Sequence, residues 1–461
     1  MRLSSAVSSV AAAAYLFASQ SVNAITLDVT DDASIKAAAS QIAFTMMGFY
    51  TGNNTGDVPG NLPPPYYWWE CGGMMGAMVD YWYYTNDTTY NSEVSQALLW
   101  QAGPDATFMP ANQSKDEGND DQSYWAFSAM EAAETKFPDP PSTSPQWLAM
   151  AQGVFNQQAN RWDMTSCGGG LKWQIFFTNN GYDYKNSPSN GAFFAMGARL
   201  AVYTNNATYA DWAEKTWNWM SDVGLLTANY DVYDGTNDLK NCTDWDRDLW
   251  TYNFGVMLLG AAHMYVYTNE SSIWLDRVNG ILNTTISGVF RNGIMKEITC
   301  ENEQGQKNYC NTDQLSFKSY LARWMAATAR MVPSTYDTIM PILTTSAKAA
   351  AAVCNGGTSG VECGSRWDTG GVNDGTLGVG QQMNALQVIS ALLVQKAPTL
   401  VTNTTGGTSK GNDNAGSTGT GSTSKLVTPT VATTSGKAGA GFLTALILCG
   451  VLGGSFFMIK E

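Results

Sequence analysis

The sequence predicts an all-α fold, an (α/α)6 barrel of six inner and six outer helices with its long loops at one end. Three observations predict it: an internal repeat of about sixty residues, two alternating sets of segments with helical periodicity, and connections that alternate between short and long. The chain has 461 residues, of which 44% are hydrophobic, so a large buried core is possible.

The repeat is marked by the turn sequence Tyr-Thr-Asn, which occurs at 84–86, 203–205 and 267–269. The first residues, 84, 203 and 267, are 119 and 64 positions apart, close to two periods and one. Proline-containing turns at 138–145 and 332–334 stand where the missing copies belong. Periodicity of this kind predicts stacked pairs of helices.

The two sets of predicted helices differ in composition. The outer set covers 33–50, 90–101, 146–161, 209–222, 271–284 and 336–353. The inner set covers 68–84, 119–137, 188–203, 250–267, 313–331 and 380–396. The inner set is rich in Ala, Gly and Met and apolar nearly all round, as buried helices are. Each inner helix follows a long connection, so the long loops should share the end where inner helices begin, and such loops usually carry function.

Four regions follow from composition along the chain. Residues 1–24 resemble a secretory signal peptide, and 25–397 form the barrel domain. Residues 398–441 are a Ser/Thr/Gly-rich stretch predicted to be a disordered stalk with a GPI attachment region, and 442–461 are a hydrophobic tail. The alternative is a membrane-spanning helix, which usually keeps several basic residues beyond it, whereas only Lys460 follows here. We therefore expect a GPI-anchored protein on the extracellular face of the membrane or in the cell wall.

Glycosylation signals and cysteines agree with secretion. Eight Asn-x-Ser/Thr sites occur, at Asn53, Asn86, Asn112, Asn206, Asn241, Asn269, Asn283 and Asn403. Cys300–Cys310 and Cys354–Cys363 each close a short loop and are predicted disulfides. Outside the tail this leaves Cys71, Cys167 and Cys242 without assigned partners, so one thiol should be free.

Charge and histidine content exclude several functions. Acidic residues outnumber basic ones 39 to 25, and no basic run occurs, which excludes nucleic acid as a partner. The single histidine, His263, lies within an apolar helix and is predicted to be a core residue. We expect no metal site and no cofactor, because multi-histidine sites are excluded and the cysteine spacing suits no zinc.

Carboxylates, amides and indoles stand where the predicted inner helices begin, which favours a pocket for a neutral polyol. Its predicted substrate-binding residues are Trp69, Gln122, Asn190, Trp250, Asn253 and Gln314. Each also has a structural interpretation, since Asn and Asp are common helix caps and a single Trp such as Trp250 is more often core.

The consecutive acids Asp120 and Asp121 are the candidate catalytic residues. Glycoside hydrolysis needs two carboxyl groups, about 5–5.5 Å apart in a retaining enzyme. Neighbouring residues at a helix start can reach that distance, and mutual repulsion would keep one of them protonated. The alternative is that the pair only caps its helix.

A series of motifs resembles glycoside hydrolase family 76, and within it the fungal GPI-anchored mannan endo-1,6-alpha-mannosidases. The motifs lie at 119–122, 161–163, 167–174, 180–186, 250–253 and 313–318, and the likeness extends from about residue 30 to 396.

The resemblance implies an (α/α)6 barrel that cleaves alpha-1,6-mannosidic bonds with retention, with Asp120 as nucleophile and Asp121 as acid/base. It further implies a mannan or GPI-core glycan as donor and a wall polysaccharide as acceptor. Two alternatives remain open: a non-catalytic sugar-binding wall protein, and an inverting glycosidase whose second carboxyl is Glu70 or Asp313.

Overall fold

The computed structural model describes residues 25–113, 115–301 and 309–416. The predicted signal peptide, the hydrophobic tail and most of the predicted stalk lie outside these residues. Within them the chain forms twelve α-helices. They are α1 Asp32–Met47, α2 Trp68–Thr85, α3 Asn91–Gln101, α4 Asn119–Glu134, α5 Trp147–Asn160, α6 Ser187–Thr204, α7 Ala207–Asp222, α8 Thr251–Tyr267, α9 Ser272–Val289, α10 Phe317–Met331, α11 Tyr336–Ala352 and α12 Val379–Ser390.

The even-numbered helices form a closed inner ring. Each of α2, α4, α6, α8 and α10 contacts the next even-numbered helix, and α12 contacts α2 to close the ring. The odd-numbered helices pack outside, and the long connections all precede inner helices. This is the predicted (α/α)6 barrel, with all twelve predicted helices present. The bounds differ by a few residues, mostly because short 3-10 turns at Gln314–Ser316 and Ala391–Leu393 replace α-helix at the start of α10 and the end of α12.

The Tyr-Thr-Asn repeats mark helix ends, as the periodicity predicted. Asn86 and Asn205 follow the last residues of α2 and α6 with φ of 63° and 54°, and Asn269 follows α8 with φ of 52°. Asparagine tolerates this left-handed conformation better than most residues, so it ends a helix and turns the chain outward.

Small residues allow the inner helices to approach closely. A Cβ atom added to Gly255 on α8 would lie 3.0 Å from the Cα atom of Leu321 on α10. Alanine at this position would therefore push backbone against backbone, and the ring would have to widen.

A buried ion-pair network occupies the half of the barrel away from the long loops. The side chain of Arg199 on α6 contacts Glu134 and Glu131 on α4 at 2.5 and 2.9 Å. Arg323 on α10 contacts Asp80 on α2 at 2.8 Å and Glu131 at 3.5 Å. The prediction that the inner helices are apolar nearly all round is therefore wrong for α2, α4, α6 and α10, because three carboxyl and two guanidinium groups from these helices pair in the interior.

His263 lies beside this network and is a core residue, as predicted. Its Nδ1 lies 2.9 Å from the carbonyl oxygen of Leu259, and burial lowers its pKa to about 4. The imidazole is therefore neutral at ordinary pH and takes no part in the cavity described below.

Short strands within the long loops pair with one another through hydrogen bonds. An antiparallel sheet joins β1 Tyr184–Asn186, β2 Gly235–Asn237 and β3 Trp245–Asp246, and two hairpins pair β4 Phe290–Arg291 with β5 Ile294–Met295 and β6 Cys354–Gly356 with β7 Glu362–Cys363. The disulfides Cys300–Cys310 and Cys354–Cys363 form as predicted. A third, Cys167–Cys242, ties the loop before α6 to the loop before α8, and Cys71 is buried and free.

Residues 398–416, the C-terminal strap, lie against the barrel, so the domain does not end at 397 as expected. The amide of Val401 bonds the carbonyl of Glu134, and the hydroxyl of Ser409 accepts from the amide of Leu148 in the first turn of α5. The side chain of Gln152 donates to Asp413 at 2.8 Å. The strap thus follows α5 from its start towards the long-loop end. Its Gly/Thr/Asn composition predicts disorder, but the strap makes hydrogen bonds with the folded domain.

We expect the strap to contribute to stability. A chain ending after Ala397 should unfold roughly 5 °C below one ending after Ser417, because it loses several hydrogen bonds of about 1 kcal/mol each and uncovers the start of α5. Thermal unfolding of the two purified proteins is the measurement. Equal midpoints would show that the strap adheres without stabilising the barrel.

Two surface features bear on the expected location. Within the part of the chain that the structure describes, no helix is long and apolar enough to cross a membrane. Seven of the eight predicted glycosylation asparagines are exposed, and Asn206 is half-buried. All eight asparagines lie in surface turns or on outer helices, which are accessible positions for a glycan.

Candidate active site

The acidic pair lies in the first turn of α4, where the long loops converge. The start of this helix is fixed by the loop before α6: the amide of Asn119 donates to the carbonyl of Trp173 at 2.8 Å, and Gly118 pairs with Gln174. Gly118 is the N-cap residue of α4, and its amide donates a hydrogen bond to Asp121 Oδ2 at 2.7 Å. Asp121 therefore does cap the helix, as the alternative interpretation held.

Capping leaves Asp120 unexplained, and its contacts are those of a held carboxylate. Its Oδ2 accepts from Asn186 Nδ2 at 2.8 Å, and its Oδ1 accepts from the amide of Asp121 at 3.0 Å. Two N–H donors stabilise the ionised form and fix the side chain in one orientation. The positive end of the α4 dipole adds to that stabilisation.

The second oxygen of Asp121 makes no hydrogen bond with the described residues, and its side chain lines a cavity. Twelve residues line that cavity: Trp69, Asp120, Asp121, Tyr124, Trp173, Tyr184, Asn186, Pro188, Asp234, Tyr252, Asp313 and Phe317. They come from all the long loops or helix starts between α2 and α10. Four are carboxyl groups and seven are aromatic or proline rings, the composition of a site for hydroxylated rings.

The wall opposite α6 carries Trp69 and Asp313. The indole N–H of Trp69 donates to Asp313 Oδ1 at 2.8 Å, and the ring packs against Tyr124 with centroids 4.9 Å apart. Beside them the rings of Tyr252 and Phe317 stack, with their centroids 3.8 Å apart. These contacts fix the rings before any ligand arrives, which reduces the entropy lost on binding.

Asp234 contributes a further carboxyl group to the wall of the cavity. Tyr184 donates its hydroxyl to Asp234 Oδ2 at 2.9 Å, and Asn253 Nδ2 lies 3.3 Å from Oδ1. Burial raises the pKa of Asp234 to about 6. Burial also raises the pKa of Asp313. A carboxyl group that keeps its proton can donate to a sugar hydroxyl as well as accept from one, which Asp234 can do in mildly acidic solution.

Burial raises the pKa values of both acids of the pair. The pKa of Asp121 rises to about 6, and that of Asp120 rises through burial and the adjacent charge of Asp121. Two close carboxyl groups release their protons in two steps that belong to the pair. Between those steps one proton is shared by the pair, which is the form that acid-assisted bond cleavage requires.

Of the six predicted substrate-binding residues, only Trp69 lines the cavity. Gln122 lies behind α4, where it donates to the carbonyl of Thr107 and accepts from Arg161. Asn190 bonds both backbone groups of Leu171, at 2.7 and 2.9 Å. Both predictions were wrong for the same reason: these residues lie at the correct end of the barrel, but their side chains point away from its axis.

The remaining three are also supporting residues. Asn253 holds Asp234 rather than facing the cavity, and Gln314 bonds the amide of Asn311 at 2.9 Å. Trp250 is the N-cap residue of α8. Its ring packs edge-on against Phe317 with centroids 5.6 Å apart, and 8% of its surface is exposed. The core interpretation of Trp250 is therefore the one that the structure favours.

Asn186 and Asp234 line the cavity but are not among the six predicted substrate-binding residues. Asn186 stands at the N-cap of α6, and its position at an inner-helix start was a usable signal. Asp234 stands 17 positions before Thr251, where α8 begins, and the sheet formed by β1–β3 returns it to the cavity. No arrangement of His, Cys, Asp or Glu within the described residues has the geometry of a metal site.

We expect Asn186 to be a positioning residue for Asp120. Asn186→Ser keeps an oxygen that can cap α6 through the amide of Ser189 but cannot reach Asp120 as Nδ2 does. Turnover should fall about a hundredfold, the effect of a misplaced reacting group, with little change in the melting temperature. Asp31→Ser, which alters the cap of α1 on the outer ring, is the matched control and should keep full activity. Equal activity in both variants would contradict this role.

A helical barrel whose loops bring two adjacent carboxyl groups with raised pKa values into an aromatic-lined cavity is the arrangement of a glycoside hydrolase. The comparisons with known proteins agree. The sequence profile of glycosyl hydrolase family 76 matches residues 34–404, so the chain belongs to that family. The resemblance stated from the motifs is thus confirmed.

Relatives and solved structures are similar over most of the chain. Mannan endo-1,6-alpha-mannosidase DCW1 of Saccharomyces cerevisiae is 47% identical over 435 residues, 94% of each chain. The crystal structure of Dfg5 from Chaetomium thermophilum in complex with glucosamine is 45% identical, with a TM-score of 0.81 over 84% of this chain and 97% of that one. An alpha-1,6-mannanase of Salegentibacter sp. HEL1_6 shares the fold, with a TM-score of 0.61 and 19% identity over 78% of this chain and 98% of that one.

Proposed function

We propose that this protein is a retaining, endo-acting alpha-1,6-mannosidase that transfers its glycosyl group to a wall polysaccharide. The observation that carries the proposal is the unequal bonding of the acidic pair. Asp120 is held by two N–H donors, while Asp121 keeps one oxygen free towards the cavity. The names of the fungal relatives, which are mannan endo-1,6-alpha-mannosidases over nearly the whole length of this chain, support the substrate class.

The first chemical step uses both carboxyl groups. Asp120 attacks the anomeric carbon of the mannosyl unit while Asp121 gives its proton to the departing oxygen. The glycosidic bond breaks and an ester bond to Asp120 forms, with inversion at the anomeric carbon. The donors Asn186 and the amide of Asp121 hold Asp120 in line for this attack.

The second step decides between hydrolysis and transfer. Asp121, now ionised, takes the proton of an incoming hydroxyl group. The oxygen of that hydroxyl group bonds to the anomeric carbon, and the ester bond to Asp120 breaks. A second inversion restores the original anomer. Water gives hydrolysis, and a sugar hydroxyl gives transfer, so wall glucan is a suitable acceptor for a mannan or GPI-core glycan donor.

The inverting alternative is less well supported. Its second carboxyl would be Glu70 or Asp313, but Glu70 Oε2 is bonded to the amide of Tyr67 at 2.7 Å in a capping box. Asp313 accepts from the indole of Trp69. An inverting base needs room to hold a water against the sugar, and Glu70 is buried and does not line the cavity. Asp313 does line the cavity, so the anomer of the first product is the measurement that distinguishes it from Asp120.

The experiment that tests the proposal is incubation of the purified protein with an alpha-1,6-mannan oligosaccharide, with and without a glucan acceptor. Proton NMR should show the alpha anomer as first product, and mass spectrometry should show a mannosylated glucan only in the presence of acceptor. A beta anomer would establish inversion, and absence of cleavage would favour a sugar-binding protein.

The pKa values predict a bell-shaped dependence of kcat/KM on pH. Activity needs one proton on the pair, so it falls at low pH, where both acids are protonated, and at high pH, where both are ionised. Because burial raises the pKa of Asp121 to about 6, the alkaline limb should begin near or above pH 6 rather than near 4. A profile flat from pH 4 to 8 would contradict the assignment of a shared proton.

We also propose that the protein is held outside the cell by a lipid anchor, on the basis of the hydrophobic residues 442–461 and the exposed glycosylation sites. Deleting 442–461 should release a glycosylated, active protein into the medium. Retention of the shortened chain in the membrane fraction would contradict the anchor.

A further inference from the structure

We propose that the indole of Trp173 is the platform for the sugar on the leaving-group side of the cleaved bond, and afterwards for the acceptor sugar. This rests on the proposed function, since only a covalent intermediate lets the acceptor occupy the place that the leaving sugar vacates. Nothing in the motif resemblance or in the names of the relatives assigns this residue a role.

The first argument is the position of Trp173 relative to the acid/base. Its carbonyl accepts from the amide of Asn119, and its amide donates to the carbonyl of Tyr184 at 2.7 Å, so its backbone is fixed between the start of α4 and β1. A Cβ atom on Gly118 would lie 3.0 Å from both Cδ1 and Nε1 of the indole and 2.4 Å from Asp120 Oδ1. The ring therefore lies against the residue whose amide bonds Asp121.

The second argument is exposure. Two tryptophans line the cavity, and they differ: Trp69 is 9% exposed and bonded to Asp313, whereas Trp173 is 36% exposed. A second glycine, Gly181, clears the other end of the indole, because a Cβ there would lie 2.3 Å from Cε3. Its backbone has φ of 90°, which other residues rarely adopt. An aromatic ring that is rigidly placed yet open to solvent is suited to stack a sugar that enters and leaves.

The third argument is chemical. Asp121 protonates the oxygen that departs in the first step and deprotonates the hydroxyl that arrives in the second, so both sugars must place that oxygen beside Asp121. The acceptor O–H proton passes to Asp121 while the new C–O bond forms and the ester bond to Asp120 breaks. A ring beside Gly118 can stack the pyranose bearing that oxygen, which raises the local concentration of sugar hydroxyl over water.

The test compares Trp173→Ala with Trp173→Phe, using two donors and one acceptor. The donors are alpha-1,6-mannotetraose, which has sugars on both sides of the cleaved bond, and alpha-mannosyl fluoride, whose leaving group has no ring. The acceptor is a soluble beta-1,3-glucan oligosaccharide. Phe177→Ala is the matched control, because this aromatic is exposed on the same loop but does not line the cavity.

Trp173→Ala should raise the acceptor KM and lower kcat/KM for the tetraose by about ten- to hundredfold, as expected when an aromatic stacking plane is removed. Its kcat/KM for the fluoride should stay within threefold, Trp173→Phe should recover most of the loss, and Phe177→Ala should match the parent protein. Equal losses with both donors, or an unchanged acceptor KM, would overturn the platform. Failure of the unaltered protein to cleave either donor would instead overturn the proposed function.

Discussion

Replacing either acid of the pair should lower turnover of alpha-1,6-mannan about a thousandfold or more while the barrel stays folded. In Asp120→Ala no nucleophile faces the anomeric carbon, and in Asp121→Ala no proton reaches the leaving oxygen, an effect in the usual range for loss of acid catalysis. Asp121→Ala also removes a helix cap, which costs about 1 kcal/mol, so its melting temperature should fall slightly more than that of Asp120→Ala.

Azide separates the two roles. With a mannosyl donor that carries a good leaving group, azide can replace the missing Asp120 in a single displacement, and the product is the beta-mannosyl azide. In Asp121→Ala, Asp120 still forms the ester, and azide then displaces it, so two inversions give the alpha-mannosyl azide. NMR of the two products assigns nucleophile and acid/base independently. The opposite pair of anomers would exchange the two roles, and parent-like activity in either variant would remove that residue from the mechanism.

The order of the helices could be predicted from sequence because two local signals agree. The left-handed Asn residues at the ends of α2, α6 and α8 recur at multiples of about sixty residues, and the inner segments are rich in small residues. A ring of helical pairs is the arrangement that buries six such segments at once. The position of Asp120 and Asp121 in the cavity could be predicted for the same reason, since it follows from where α4 begins.

The rest of the cavity depends on side-chain direction, which helix position alone does not give. Gln122 immediately follows Asp121, yet it points into the layer behind α4, where Arg161 and Thr107 bond it. Asp234 is far from any inner-helix start in sequence and reaches the cavity through the pairing of β1 with β2. The strap was missed because its Gly/Thr composition is shared by disordered segments, whereas its order comes from α5 and the ends of α4 and α6.

The buried charges were missed for a related reason. Four of these residues are buried, Asp80, Glu134, Arg199 and Arg323, and Glu131 beside them is half-buried. Each is an exception within an otherwise apolar segment, so composition alone does not show that they meet. These side chains come into contact because the inner helices close into a ring. Three carboxyl groups meet two guanidinium groups, so the charges balance only when one carboxyl group keeps a proton, and burial raises the pKa of Asp80 well above its usual value.

Removing Arg199 should therefore be among the most destabilising single changes in the barrel. Arg199→Met leaves Glu134 without its partner at 2.5 Å and Glu131 with only Arg323, at 3.5 Å. Breaking a buried ion pair from one side costs about 3–5 kcal/mol, because the remaining charge stays desolvated. The melting temperature should fall by roughly 5–10 °C. Lys396→Met is the matched control, since its pair with Asp32 is exposed and should contribute little.

A double variant distinguishes lost charge balance from lost packing. Arg199→Met combined with Glu134→Gln removes the carboxylate that the single change leaves unpaired, so part of the lost stability should return. If packing of the guanidinium against Phe127, 5.6 Å away, were the main contribution, the second substitution would destabilise further. Activity provides the complementary measurement: the network lies in the half of the barrel away from the loops, so below its melting temperature Arg199→Met should cleave alpha-1,6-mannan at the parent rate. A melting temperature within one degree of the parent protein would show that the ring tolerates an unbalanced charge in its interior.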